Sequence, residues 1–90
     1  MTGKPEDVPI DFITFVLSLS AQALVNLGVP VPGGPEPELD LELAKHTIDI
    51  LGILETKTHG NLTGEEERIL EQVVTDLRLR YVDAAKAKKK

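Results

Sequence analysis

Residues 12–28 read FITFVLSLSAQALVNLG, and none of them carries a charge. Asp11 stands where an N-cap belongs, its carboxylate able to accept from the free amides of a first helical turn, and Gly28 stands where a helix closes in a left-handed residue. The stretch therefore predicts a helix over 12–27. At about 100° per residue, Thr14, Ser18, Ala21, Gln22 and Val25 share one narrow, weakly polar strip. Phe12, Ile13, Phe15, Val16, Leu17 and Leu19 lead the apolar remainder. A helix apolar around most of its circumference needs cover on more than one side, and two neighbouring helices of a small monomer supply too little of it. The expectation is a partner chain.

On the C-terminal side, VPVPGGPEPEL (29–39) holds four prolines and two glycines, which excludes helix and central strand and predicts an extended, partly stiff linker. Its Val29, Val31 and Leu39 offer a competing way to cover the first helix, by folding back over it within one chain. A second helix is predicted from Asp40 as N-cap to His59, closed by Gly60, with Leu41, Leu43, Ala44, Ile48, Leu51 and Leu54 as its apolar arc. Ile53 falls on its polar side. Gly52 costs a helix interior about 1 kcal/mol against alanine, so either a neighbouring backbone approaches there or the helix carries the cost. The third helix opens on a capping box, Thr63 with Glu66, and three successive glutamates, 65–67, face the positive end of its dipole. It is predicted to run to about Ala85 on a stripe of Ile69, Leu70, Val73, Val74, Leu77, Tyr81 and Ala84, with Leu79 and Val82 off that stripe. No segment has strand periodicity. The reading is all-α: a disordered arm at 1–10, one three-helix domain at 11–85, and a basic tail at 86–90.

Composition sets the limits on function. The chain has 90 residues, no cysteine and a net charge of −5, which removes thiol chemistry and disulfides. Phe12, Phe15 and Tyr81 are its whole aromatic set, too few for stacking platforms. Charge is graded, with nine acids against three lysines over 1–62 and four lysines in 86–90, so nucleic-acid contact could belong only to the tail, aided by Arg78 and Arg80. Glu6, Asp7 and Asp11 outnumber Lys4 ahead of the apolar run, which argues against a secretory signal, and Phe12–Val29 is barely long enough for a membrane span and carries Thr14, Ser18, Ser20, Gln22 and Asn26 before Pro30 ends it, which argues against one. A cytoplasmic protein is expected.

Candidate chemistry is sparse. Glu42, His46 and Asp49 share one helix face at spacings that could place two carboxylates and an imidazole around a Zn²⁺ ion, or could simply make a solvated charged face. His59 lies 13 residues from His46, about 20 Å along a helix, and suits a helix C-terminus instead. Ser18 and Ser20 have no histidine nearby and no nucleophile elbow, so they read as hydroxyls bonded back to the helix. Gly33 and Gly34 lack the lysine and hydroxyl of a phosphate loop, and the run at 65–67 lacks the spaced ligands of a calcium loop.

The run Phe15-Val16-Leu17-Ser18-Leu19, then Ala23–Gly28, and after the linker HTIDILGILE (46–55), KTHGNLT (57–63) and DLRLRY (76–81), resembles a small bacterial family, domain of unknown function number 1844. The likeness spans about residues 12–82. It implies a soluble, all-helical protein, often with a longer charged or proline-rich N-terminal extension where this chain has about ten residues. It implies no activity, cofactor or catalytic residue.

The expectation is thus a non-catalytic helical module without cofactor, which completes its bundle by homo-oligomerisation and takes itself, or an unidentified protein, as partner. Phe12, Phe15, Val16, Leu19, Ile53, Leu79 and Val82 are the expected interface residues, with helix 1 near the symmetry axis and Phe15 or Leu19 facing its counterpart. The rivals are a small metal-dependent enzyme at Glu42, His46 and Asp49, and a nucleic-acid-associated protein using the basic tail.

Overall fold

A computed structural model describes residues 11–89. The arm expected at 1–10 lies outside the described residues, as does Lys90. Three helices, α1 (Phe12–Asn26), α2 (Leu41–Lys57) and α3 (Gly64–Lys89), run up, down and up, each packed on the other two, and the described residues contain no strand.

Local chemistry fixes the boundaries. The Asp11 carboxylate accepts the Thr14 amide at 2.8 Å, and Asp40 accepts the Leu43 amide at 3.1 Å, so two of the three N-termini are capped by aspartate. The hydrogen bond from the Thr14 backbone holds the Asp11 carboxyl below the usual aspartate range. The third N-terminus carries the complete capping box: the Thr63 amide donates to Glu66 Oε1 at 2.9 Å while the Glu66 amide donates to Thr63 Oγ1 at 3.1 Å. At the other end of α1, Gly28 has φ +80°, its amide donates to the Val25 carbonyl, and the Val29 amide donates to the Leu24 carbonyl. That pair of bonds is a Schellman closure, which a glycine at the left-handed position permits.

Three ends differ from the sequence reading: α1 stops at Asn26, with Leu27 as its C-cap rather than its last helical residue. α2 stops at Lys57 rather than His59, because the Thr58 hydroxyl and amide both donate to the Leu54 carbonyl and the His59 amide turns to the Thr56 carbonyl, tightening the chain towards Gly60 at φ +82°. α3 continues to Lys89, since alanines 84, 85 and 87 are strong helix formers and lysines suit the negative pole of the dipole.

The core draws on each helix in turn: Val16, Ala23 and Leu27 from α1 and its cap, Ala44, Ile48 and Leu51 from α2, Leu70, Val74 and Leu77 from α3. The last two triplets repeat the i, i+4, i+7 spacing of one helical face. Each large side chain among them contributes roughly 1.5–3 kcal/mol by leaving water. The three helices enclose this core within one chain. Val16, expected at an interface between chains, is wholly buried here, because its place on α1 coincides with the Ala23 and Leu27 face that meets α2 and α3. Leu43, expected in the apolar arc of α2, is 51% exposed, because it lies at the edge of the face whose centre is Ala44, Ile48 and Leu51.

The linker does fold back on α1. Its Glu38 amide donates to the Val25 carbonyl at 3.0 Å and its Asp40 amide to the Asn26 carbonyl at 2.8 Å, which ties the start of α2 to the end of α1. Between these ties Val31-Pro32-Gly33-Gly34 turns sharply, with the Gly34 amide on the Val31 carbonyl and Gly33 at φ +75°, the arrangement of a type II turn. Val29 packs against the core, whereas Leu39 stays 46% exposed.

The molecule is elongated, 51 × 31 × 17 Å, with a radius of gyration of 14.6 Å where a compact chain of this length gives about 12 Å. No helix among the described residues is long and apolar enough to cross a membrane.

Candidate functional site

The outward side of α1 is the most unusual surface on the molecule. Directly away from Val16 and Ala23 runs the strip of Thr14, Ser18, Ala21 and Val25, and Phe15 and Leu17 flank it on opposite sides, 42% and 50% exposed. Phe12 and Leu19 sit at the margin, partly buried against the core. The Ser18 hydroxyl donates to the Thr14 carbonyl at 3.0 Å, so the middle of the strip has its donor satisfied inside the helix. At the C-terminal half of the same side, the linker and α2 rise beside the helix and form a groove of about 360 Å³, walled by Ala21, Val25, Val31, Pro35 and Leu43, with the Gln22 and Asn26 amides among its lining groups. No acid or base lines it.

Sequence reasoning did not find this groove. Val31, Pro35 and Leu43 reach α1 only because the linker is tied to Val25 and Asn26, a non-local event with no signature in periodicity. Leu17 was legible as apolar but not as exposed, since a wheel does not say which part of an apolar arc the neighbours cover.

The remaining expected interface residues lie elsewhere. Leu79 points directly away from the buried stripe of α3, 63% exposed beside Gln72, Thr75 and Asp76, and Val82 flanks it at 46%. Ile53, 58% exposed, belongs to the outer side of α2. These residues and Phe15 therefore occupy different faces of the bundle.

Glu42, His46 and Asp49 do share one shallow surface of α2, with Ile50, Ile53 and Tyr81 around them. Asp49, however, is engaged by Lys45 at 2.9 Å, a hydrogen bond that raises the lysine above its ordinary value. Among the described residues no group of three or more His, Cys, Asp and Glu side chains is placed to hold a metal ion. His59 is exposed in the turn after α2, on the same depression as Glu55 and Glu67.

The two arginines part company as well. Arg80 donates to Asp76 at 2.9 Å, one turn back along α3. Arg78, two residues earlier and so on nearly the opposite side of the helix, lays its guanidinium over Gly52, with Nη2 3.1 Å from where a Cβ would stand. The close approach at Gly52 is thus a side chain, not a backbone. Lys86 is exposed near the end of α3, and the side chains of residues 88–90 lie outside the described residues.

Comparison with known proteins agrees with the blocks quoted from the sequence. No curated protein matches the chain. No solved structure matches it. A family described as domain of unknown function (DUF1844) matches residues 9–83, which takes in α1, the linker, α2 and most of α3. By that match, and with three helices where the likeness implied an all-helical protein, the chain belongs to the DUF1844 family.

Proposed function

We propose that the chain is a non-catalytic, self-associating interaction module that uses the outer side of α1 as its contact surface. One observation carries the reading: a helix of 15 residues without a single charge presents Phe15 and Leu17 to water at 42% and 50% exposure. A surface helix of a monomer ordinarily puts charged residues on that side.

Sedimentation equilibrium at micromolar concentration tests it. The expected result is a dimer or larger closed oligomer, shifted to monomer by Phe15→Glu with helical content retained. A wild-type chain that sediments at 9.8 kDa throughout overturns the reading.

A further inference from the structure

We propose that two copies pair antiparallel through α1, each seating its Phe15 in the groove of the other; this specifies the geometry of the self-association proposed above and rests on it. Phe15 and the groove lie on the same side of one helix, Phe15 near its N-terminal end and the groove over Ala21–Val25 near its C-terminal end, about 9–15 Å apart along the axis. A knob and a hole so placed cannot meet within one chain. A twofold axis crossing α1 between Ser18 and Ala21 makes them meet twice, as an isologous contact requires.

The strip itself reads the same in both directions about that axis. Thr14 falls opposite the partner's Val25 and Ser18 opposite the partner's Ala21, with the reciprocal pairs on the other half. Small side chains then occupy the crossing point, where two helices approach most closely, and the Ser18 hydroxyl enters the contact already bonded to the Thr14 carbonyl. Phe15 comes to the axial level of the partner's Val25, on the flank that carries the partner's Gln22 and Asn26, which line the groove together with Val31, Pro35 and Leu43. A parallel pair would instead set Phe15 against Phe15 and leave both grooves open to water.

The occupant is a second copy rather than another kind of partner because the complementary knob is already on the same face of this chain and because neither knob nor groove carries a charge, so two like-charged copies can bring these faces together without burying a charge.

The chain has no cysteine, so single replacements give clean crosslinks. Ser18→Cys and Ala21→Cys chains are mixed in equal amounts, oxidised mildly and mapped by peptide mass spectrometry. The mixed disulfide, joining position 18 of one chain to position 21 of the other, is expected to exceed both same-position disulfides severalfold. Phe15→Ala and Leu43→Ala are each expected to weaken dimerisation, Phe15→Ala by about 10–100-fold. Because these two side chains meet across the interface, the double variant is expected to lose less than the product of the two effects. Same-position disulfides in excess, or a dimerisation constant indifferent to Phe15→Ala, overturn the antiparallel pairing while leaving self-association standing. A wild-type chain monomeric at all concentrations overturns both.

Discussion

Thr63 and Glu66 close the first turn of α3 with two reciprocal hydrogen bonds, at 2.9 and 3.1 Å. Thr63→Ala removes one acceptor from that pair and is expected to destabilise the fold by about 1 kcal/mol, within about 0.5–2, because an orphaned first-turn amide must turn to water. For a domain of this size that lowers the melting temperature by about 4–8 °C, and differential scanning calorimetry is the check. Gly52 bears the opposite expectation. A Cβ there meets only the Nη2 atom of Arg78 at 3.1 Å, the far end of an exposed side chain that can swing aside. Gly52→Ala is therefore expected to raise stability by roughly 0.5–1 kcal/mol in urea denaturation through helix propensity and a less flexible unfolded chain, and a loss would mean that Arg78 cannot yield. These residues mark what a sequence discloses well. Asp11, Asp40 and Thr63 each act on an amide three residues on, so their roles were legible without knowledge of the fold. What rests against Gly52 was not, because Arg78 lies 26 residues further on, and nothing local to Gly52 names it.

At the level of elements, Leu51 is fully buried at the middle of α2 and sits between the other two helices. Leu51→Ala opens a cavity there and is expected to cost about 2–5 kcal/mol, enough to bring a marginal small domain close to unfolding at ordinary temperatures. Thermal melts followed by circular dichroism measure it. Periodicity identified the stripes of α2 and α3 and the uniform apolarity of α1, yet it did not assign their edges. Val16 and Leu43 are both aliphatic and both fall within predicted apolar arcs, but one is wholly buried and the other half in water. The difference depends on the azimuth at which each neighbour arrives, which is set by how three helices settle against one another and not by any one of them. The end of α3 is a similar case: alanine and lysine both permit more helix past Ala85, and only the absence of a competing turn signal decides that it continues.

For the whole molecule, a net charge of −5 on each chain and an uncharged α1 face together set a direction for ionic strength. Two like-charged copies repel at long range, and added salt screens that repulsion without weakening an apolar contact. Self-association is expected to tighten modestly between about 20 and 300 mM salt, read by sedimentation, whereas an interface or nucleic-acid contact built on Arg78, Arg80 and the lysine tail would weaken over the same range. The acidic balance and the uncharged run at 12–28 were both plain from the sequence; that the outer side of α1 leaves Phe15 and Leu17 exposed became plain only from how the helices pack. The ties between the linker and the end of α1 carry one more consequence. Val29 is held to Leu24 and Asp40 to Asn26, so the loop leaves and returns at the same turn of helix, and its contour length does not enter the angle between α1 and α2. Such a loop is a natural graft point. Each doubling of its length adds only about 0.6 kcal/mol of closure entropy, so a flexible peptide spliced between Pro35 and Glu36 is expected to leave the helical core intact, a tolerance that the short, tightly bonded turn between α2 and α3 does not share.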